Sequence, residues 1–388
     1  MQTPTPAKLA ALPAFDVAAR TRLIFGGGSI GRVGELAREL EVRRVLVVTD
    51  PGIVAAGHAL RVEHLLQAAG LGVVVFSEVN ENPTTRCVDK CARVARAANV
   101  DLIIGLGGGS SMDTAKGCNF ILTNGGQMKD YWGTGKATKP MLPLIAIPTT
   151  AGTGSECQSF ALIADEHTHQ KMACGDPKAA AKIALLDPEL TVSQPPRVTA
   201  CTGIDAIAHA VETAVTKKRN PLSLMYSHEA FKLCAGSFAR VLEHPHDLAA
   251  RGKMLLGAAF AGTAIENSML GAAHSAANPL TAHFNVVHGQ AVGVMLPHVV
   301  RFNAHDDAAR AGYTALARGA GLEDVEGLIA ALKDFLEAAQ MPRRLSQCGV
   351  DHARLPLLAE EAVKQWTATF NPRAMSLEDF LKLYEAAW

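Results

Sequence analysis

Short apolar runs rich in β-branched residues alternate with longer amphipathic stretches in the first half of the chain. These runs are 43–50, 72–76, 101–107, 144–150 and 182–187. We predict that they form a parallel sheet, because strands covered on both faces are apolar throughout. The stretches 31–40 and 84–98 between them have the length and periodicity of helices. This alternation of strand and helix predicts an α/β layer architecture.

The pattern changes after residues 187–200, DPELTVSQPPRVTA. Before this point, residues 159–175 contain two short extended runs around a polar turn, which predict an inserted β-hairpin. From Thr202 onward the chain is rich in Ala and Leu at helical spacing. We expect loops around Pro221, Pro245, Pro279 and Pro297. Because 388 residues exceed the usual size of one hydrophobic core, we predict an α/β domain over 1–197 and an all-helical domain over 198–388.

Composition and charge narrow the class of protein. Apolar residues make up 48% of the chain, charged residues 19%, and the formal net charge is zero, which argues against a nucleic-acid partner. The N-terminal residues lack the pattern of a secretory signal, and the most apolar helical stretch, 254–265, is too short to cross a bilayer. We therefore expect a cytoplasmic protein without a membrane partner. Its eight cysteines include no C-x-x-C pair, which favours reduced, buried thiols.

A glycine-rich loop follows the third predicted strand. In IIGLGGGSSMDTAKG, the glycines Gly107, Gly108 and Gly109 come directly before Ser110 and Ser111, which open a predicted helix. Three glycines allow a phosphate to approach the backbone, and the helix N-terminus supplies free N–H groups. A tight turn with a serine cap is the alternative, but such a turn does not need three glycines. The spacing differs from the G-x-G-x-x-G fingerprint.

Hydroxyl and carboxylate groups lie at the same predicted edge of the sheet. The stretch PTTAGTGSE supplies the hydroxyl groups of Thr149, Thr150, Thr153 and Ser155. Ligands of open α/β sheets bind at the carboxyl ends of the strands, where this stretch begins. Asp50 ends the first predicted strand, where a carboxylate can bind the ribose hydroxyls of NAD and repel the extra phosphate of NADP. Capping of a helix before Pro51 is an equally simple interpretation of Asp50.

A carboxylate and three imidazoles form a candidate metal site. Asp205 and His209 are four residues apart in a predicted helix and therefore share a face, which by itself also suits a surface pair. His274 and His288 supply further ligands; we expect Pro279 to break the helix after His274 and Gly289 to allow a close turn after His288. This ligand set suits iron(II), zinc, manganese or cobalt. We expect His283 either to contact the metal ligands or to line the substrate pocket.

Taken together in their order, these motifs resemble the iron-containing (group III) alcohol dehydrogenases, within the dehydroquinate synthase-like superfamily. The matching motifs are VVTD, ENPT, GGGSSMDTAKG, IPTTAGTGSE, KMACGDP, TGIDAIAHAVE and GAAH…HG. The resemblance implies a Rossmann-like dinucleotide-binding domain with a parallel sheet, followed by an all-α metal-binding domain. It also implies a small alcohol or aldehyde substrate, NAD rather than NADP, a divalent metal (Fe²⁺, with Zn²⁺ as the alternative), and a homodimer or higher homo-oligomer.

The resemblance also assigns individual residues. The implied metal ligands are Asp205, His209, His274 and His288. The implied cofactor contacts are Asp50, Asn82, Gly107, Gly108, Gly109, Ser110, Asp113, Thr149, Thr150, Thr153 and Lys171. Relatives of lactaldehyde reductase carry a histidine four residues after the third ligand, which faces the nicotinamide; here that residue is Asn278. Because an amide cannot titrate, Asn278 cannot pass on a proton. Either His283 or a chain of waters and ribose hydroxyls takes over this role, or the substrate differs from the usual short diols. A purely structural role of Asn278, ahead of Pro279, is an equal alternative.

Three other functions compete with alcohol dehydrogenation. Maleylacetate reductases use the same cofactor, but they typically lack the full metal set that is present here. A lyase of the dehydroquinate synthase type needs several basic residues for its substrate, and the second half of the chain shows no such cluster beside His274 or His288. A non-catalytic sensor of NAD or metal is disfavoured because all the ligands lie beside a hydride-donor site. The preferred mechanism is hydride transfer between a carbinol carbon and nicotinamide, with the metal as a Lewis acid.

Overall fold

The computed structural model describes residues 14–168 and 170–388. The absence of a secretory signal was predicted largely from residues 1–13, which lie outside the described residues. Nine strands are found in the described part of the chain. They are β1 (Arg22–Phe25), β2 (Arg44–Val48), β3 (Gly72–Phe76), β4 (Leu102–Gly107), β5 (Gly133–Thr134), β6 (Leu144–Pro148), β7 (Phe160–Ala164), β8 (Lys171–Gly175) and β9 (Ile183–Leu186).

Six of these strands form one parallel sheet in the order β1-β9-β6-β4-β2-β3. The five strands predicted from apolar runs are all present in it, so the prediction of a parallel α/β sheet is confirmed. β1 was not predicted, because four residues with mixed exposure give no buried run. It extends the sheet by pairing with β9, Arg22 opposite Ile183 and Phe25 opposite Leu186. The predicted hairpin is also present as the antiparallel pair of β7 and β8.

Helices cover both faces of the parallel sheet. Those of the first half are α1 (Val33–Glu39), α2 (Pro51–Ala55), α3 (His58–Ala68), α4 (Thr85–Ala98) and α5 (Gly109–Asn124). Successive side chains of a strand point to opposite faces. Accordingly, Leu46 and Val48 pack into a core with α4 and α5, whereas Val45 and Val47 pack into a separate core with α1 and α3. A strand that is apolar throughout is therefore required at the centre of this sandwich.

The second half of the described chain is helical. Its α-helices are α6 (Pro196–Thr213), α7 (Pro221–Ala235), α8 (Phe238–Glu243), α9 (Leu248–Asn267), α10 (Ala272–Phe284), α11 (His288–Asn303), α12 (Asp307–Gly319), α13 (Val325–Ala338), α14 (Leu355–Ala362) and α15 (Leu377–Ala387). They share one hydrophobic core. Helix α6 begins at Pro196, whose fixed φ suits the first turn of a helix. The domain boundary at 197/198 stays a prediction.

Two predicted loops in this half are wrong. Pro279 lies inside α10 and Pro297 inside α11, so neither proline breaks its helix. An internal proline loses one backbone hydrogen bond and kinks the helix, at a cost of about 3 kcal/mol. Around Pro279 the neighbouring Ala276, Ala277 and Leu280 are all fully buried, and their packing offsets that cost. Helix α10 instead ends at Phe284, before a left-handed residue.

The cysteines lie mostly in the hydrophobic cores of the fold. All eight cysteines are free thiols; seven are buried and Cys348 is partly exposed, as expected of cysteines packed as small apolar residues. Cys87 and Cys91 both face the core from one side of α4. Within residues 14–168 and 170–388, no helix combines the length and apolar character needed to cross a membrane.

Candidate active site

Four side chains from three helices of the second half lie close to one another. Asp205 and His209 lie one turn apart on α6, His274 lies in the first turn of α10, and His288 is the first residue of α11. The Nε2 atoms of His209 and His274 are each 3.4 Å from Oδ1 of Asp205, and Nε2 of His288 is 3.9 Å from the same oxygen. The structure thus brings the ligand atoms of Asp205, His209 and His274 within 4.8 Å of one another. His288 lies outside this group of three but still reaches the same carboxylate oxygen at 3.9 Å.

Close helix packing makes this convergence possible. A Cβ atom at Gly289 would lie 2.0 Å from the backbone oxygen of Cys201, so only glycine allows the start of α11 to reach α6. The sequence analysis assigned Gly289 to a close turn, but its position in the structure is the second residue of a helix. The rings of His209 and His274 stack with centroids 4.8 Å apart.

Asp205, His209 and His274 fit a divalent metal ion, and His288 lies beside them. Oδ1 of Asp205 and Nε2 of His274 are buried and have no hydrogen-bond partner among the described residues. Burying such atoms without a partner costs free energy, and here the two atoms are 3.4 Å from each other. Two ligands held about 2.1 Å from one tetrahedral ion are roughly 3.4 Å apart, which matches the closest spacings in this group. One carboxylate with three imidazoles also suits iron(II) or zinc.

The carboxylate and the imidazoles of the candidate metal site shift one another's pKa values. Burial alone would raise the pKa of Asp205, but the three facing histidines hold it well below its usual range. Burial alone would lower the pKa of His274, but Glu212 and Asp205 together raise it to about 9. The side chain of His288 is 31% exposed; desolvation by the surrounding protein lowers its pKa, so that imidazole is neutral and able to act as a ligand.

The glycine loop (residues 107–109) and the stretch PTTAGTGSE (residues 148–156), here called the hydroxyl loop, lie against each other at the carboxyl edge of the sheet. A Cβ atom at Gly108 would lie 3.2 Å from the side chain of Thr150, and one at Gly109 would lie 2.9 Å from that of Thr153. The backbone N–H of Thr149 donates to the carbonyl of Gly107 at 2.9 Å. The start of α5, whose free N–H groups can bind a phosphate, therefore packs directly against Thr150 and Thr153.

The hydroxyl loop also reaches the metal group. A Cβ atom at Gly152 would lie 2.4 Å from the side chain of Thr202 on α6. Thr202 precedes Asp205 by three residues, which is about 4.5 Å along a helix. The loop that adjoins the glycine loop is thus less than one helical turn from the first metal ligand. A cofactor bound along these loops would end beside the four side chains.

The remaining predicted cofactor residues occupy several positions around this cleft. Oδ1 of Asp50 caps α2 by accepting from the N–H groups of Gly52 and Ile53, while Oδ2 accepts from Ser111 Oγ at 3.4 Å. The capping interpretation is therefore correct, and it leaves the second oxygen facing the glycine loop. The exposed Asn82 has a left-handed φ of 53°.

Two charged residues were also assigned to the cofactor cleft. Asp113 is buried on α5 and accepts from Ser155 Oγ at 3.0 Å. Burial raises the pKa of Asp113, against the opposing effects of nearby lysines, which include Lys171. Lys171 is exposed at the start of β8, and its charge also contributes to the lowered pKa of His288. The charge of Lys171 therefore acts on both Asp113 and His288. Ser110, the remaining predicted contact, is half-buried at the start of α5.

Lys116 was missed by the sequence analysis. It is fully buried on α5, and its Nζ donates to Ser155 O at 2.6 Å, to Ser155 Oγ at 2.9 Å and to Phe160 O at 2.9 Å. All three hydrogens of the ammonium group are thus used. A lysine within a predicted helix gives no sign in the sequence that its charge is buried. Its contacts fasten the end of the hydroxyl loop to α5.

The structure does not bring His283 to the metal group. His283 lies near the surface at the end of α10, where its Nε2 is 2.8 Å from Oε1 of Glu361. Nine residues separate it from His274, which corresponds to about 13 Å along the helix. Asn278 is only one turn beyond His274, and its Nδ2 donates to Oε1 of Gln365 at 3.1 Å. Of these two residues, Asn278 is the one placed beside the candidate metal centre.

Comparison with known protein families identifies the family to which this chain belongs. The family model described as iron-containing alcohol dehydrogenase matches residues 20–188, and the model of the C-terminal part of the Fe-containing alcohol dehydrogenase family matches residues 199–388. The chain belongs to the iron-containing alcohol dehydrogenase family. As a member of this family of oxidoreductases, it is an enzyme, and the resemblance found in the sequence is confirmed.

Relatives of this iron-containing alcohol dehydrogenase match it over nearly its full length. Alcohol dehydrogenase 4 of Saccharomyces cerevisiae (strain YJM789) is 33% identical over 366 residues, covering 94% of this chain and 96% of that protein. The NAD-dependent methanol dehydrogenase of Bacillus methanolicus is 32% identical, covering 94% and 97%. The crystal structure of a 1,3-propanediol oxidoreductase has a TM-score of 0.93 at 30% identity, covering 97% of this chain and 100% of that one. The predicted fold class is thereby confirmed.

Proposed function

We propose that the protein transfers a hydride between NAD(H) and a small primary or secondary alcohol or the corresponding carbonyl compound. The observation that supports this proposal is that the predicted cofactor-binding loops lie next to the candidate metal ligands. The glycine loop contacts the hydroxyl loop, and the hydroxyl loop contacts α6 at Thr202, less than one turn from Asp205. Three histidines lie within 3.4–3.9 Å of Oδ1 of Asp205. The names of the relatives, which include an NAD-dependent methanol dehydrogenase, support the same class of substrate.

Asp205, His209, His274 and His288 are the residues that would hold the divalent metal. Bound there, the cation supplies a Lewis acid that lowers the pKa of the substrate hydroxyl. The protein contributes a preset geometry, because the ligands come from three helices that are fixed in one core. It also contributes a dry surrounding, since Asp205, His209 and His274 are each about 5% exposed or less. In such a surrounding electrostatic stabilisation is stronger than in water.

The cofactor would lie along the carboxyl edge of the sheet. NAD supplies the hydride acceptor, and the protein orients it. Backbone N–H groups at Gly109 and Ser110 lie at the N-terminus of α5 and favour the pyrophosphate. Oδ2 of Asp50 is available for a ribose hydroxyl and would repel the 2′-phosphate of NADP. Asn82, Asp113 and Lys171 remain proposed contacts.

The proton released from the alcohol needs a path that does not use a titrating histidine next to His274. Asn278 cannot titrate, and its amide is engaged with Gln365. His283 is engaged with Glu361 near the surface. We assign the path to waters and the ribose hydroxyls of the cofactor, one of the alternatives that the sequence left open. Asn278 then serves to shape the wall of the substrate pocket.

The complete ligand set favours this function over the alternatives. Maleylacetate reductases typically lack the full set, whereas all four residues are present here, with the three histidines each within 3.9 Å of Oδ1 of Asp205. A homodimer or higher oligomer and a cytoplasmic location are part of the proposal, and light scattering of the purified protein tests the first. The domain boundary near residue 197 is also proposed, supported by family models that meet between residues 188 and 199.

Elemental analysis and an activity panel test the proposed function. The purified protein should contain a divalent metal and oxidise small alcohols with NAD in preference to NADP. His274→Ala should lose both bound metal and turnover, because it removes a buried ligand. His244→Ala, an exposed histidine at the end of α8, is the matched control and should retain both. Full turnover by His274→Ala, or by the wild-type protein after exhaustive chelation, would contradict the proposal.

A further inference from the structure

A buried carboxylate touches one of the candidate metal ligands from behind. Glu212 lies near the end of α6 and is 3% exposed. Its Oε2 is 2.5 Å from Nδ1 of His274, and its Oε1 accepts from the backbone N–H of Ala273 at 2.7 Å. The opposite ring nitrogen of His274, Nε2, is the atom that faces Asp205. Glu212 and the metal group therefore contact opposite edges of one imidazole.

The backbone of α6 and α10 explains how this contact forms. Asp205, His209 and Glu212 are spaced by four and three residues, so that they share one face of α6. At the start of α10, Gly271 has no side chain, and a Cβ atom there would lie 3.1 Å from Oε1 of Glu212. The carboxylate thus fits against the first turn of α10, where free N–H groups and the positive end of the helix dipole stabilise it.

We infer that Glu212 is a positioning residue that keeps the proton of His274 on Nδ1 and thereby leaves Nε2 free to bind the metal. A carboxylate can only accept a hydrogen bond, so the short contact requires a hydrogen on Nδ1. With Nδ1 protonated, the neutral ring has its lone pair on Nε2, which is the form a metal needs. The inference rests on the metal-binding part of the proposed function and adds a residue to it.

A second interpretation is that Glu212 only caps α10 through the N–H of Ala273. The two interpretations differ for an amide at this position. Glutamine has the shape of glutamate but only one accepting oxygen, whereas both partners of Glu212 are donors. If that oxygen serves Ala273, the NH₂ group faces His274 and favours the hydrogen on Nε2, where it blocks the metal. Glu212→Gln therefore keeps a cap and disturbs the imidazole.

The experiment compares metal binding by the full-length protein and two variants. Apoprotein is titrated with Zn²⁺ in competition with a chromophoric chelator, and the visible spectrum of the Co²⁺ form reports ligand geometry. Glu212→Gln should bind Zn²⁺ about 10- to 100-fold more weakly and show a changed Co²⁺ spectrum. The matched control is Tyr384→Phe, which removes a buried hydrogen bond from Tyr384 Oη to Ala276 O of the same helix, 2.7 Å long. It should keep the wild-type affinity and spectrum.

A third variant covers the case in which Glu212→Gln does not fold. Gly271→Ala keeps the carboxylate but crowds it, because the added Cβ would lie 3.1 Å from Oε1 of Glu212 and 3.1 Å from Oδ1 of Asn371, so a smaller loss of Zn²⁺ affinity is expected. Wild-type affinity in Glu212→Gln, or in Gly271→Ala if that is the variant measured, overturns the inference. Weaker Zn²⁺ binding by the variant, together with a wild-type protein that turns over no alcohol, supports the inference and contradicts the proposed function. A wild-type protein that binds no divalent metal contradicts both.

Discussion

Replacing Gly289 by Ala should remove His288 from the metal group. The added Cβ would lie 2.0 Å from the backbone oxygen of Cys201, so the start of α11 must retreat by roughly 1 Å or more to reach normal contact. Nε2 of His288 already lies at the edge of the ligand group, 3.9 Å from Oδ1 of Asp205, and a retreat of α11 away from α6 by about 1 Å would take this distance to about 5 Å. Two ligands of one ion cannot be more than about 4.4 Å apart, because each lies 2.0–2.2 Å from it.

The expected effect is a loss of metal affinity larger than the ~10- to 100-fold seen when a ligand loses its outer partner. Overpacking should also lower the free energy of unfolding by about 1–3 kcal/mol, which exceeds the gain of up to ~1 kcal/mol from alanine in a helix. The assay is Zn²⁺ competition combined with urea unfolding. The control is Gly327→Ala in the first turn of α13, where the nearest atoms are 3.8 Å away and affinity should not change. Wild-type affinity in Gly289→Ala would refute the packing argument.

Two further substitutions probe the cofactor cleft. Asp50→Gly removes the carboxylate that faces the glycine loop, so the ratio of kcat/KM for NAD over NADP should fall; an unchanged ratio excludes Asp50 from the cofactor site. Lys116→Met removes three buried hydrogen bonds from the hydroxyl loop, so the free energy of unfolding in urea should fall by about 3 kcal/mol and KM for NAD should rise. Stability equal to that of the wild type would mean that Lys116 does not hold the loop.

The features that the sequence predicted correctly depend on local pattern. The central strands are apolar throughout because helices cover both their faces, so β2, β4 and β6 were visible as runs. Asp205 and His209 were visible as a pair because one turn of helix separates them. The edge strand β1 was missed, since one partner strand and mixed exposure require no continuous apolar run.

The features that were missed depend on contacts between distant segments. Glu212 lies within a quoted motif, but its partner His274 is 62 residues further along the chain. Lys116 and its acceptor Ser155 are 39 residues apart. Pro279 was expected to end a helix because local propensity disfavours it there, yet the burial of its neighbours decides the outcome. In each case tertiary packing, which no local pattern records, determines the role of the residue.

The balance of buried charge explains why this centre suits a divalent cation. Asp205 and Glu212 are two carboxylates, 5% and 3% exposed, on the same face of α6, and both contact His274. Burial of two negative charges is costly unless positive charge lies between or beside them. A proton on His274, whose pKa is raised to about 9, neutralises one of them. A divalent cation bound by neutral imidazoles neutralises both, whereas a monovalent cation would leave one buried carboxylate uncompensated.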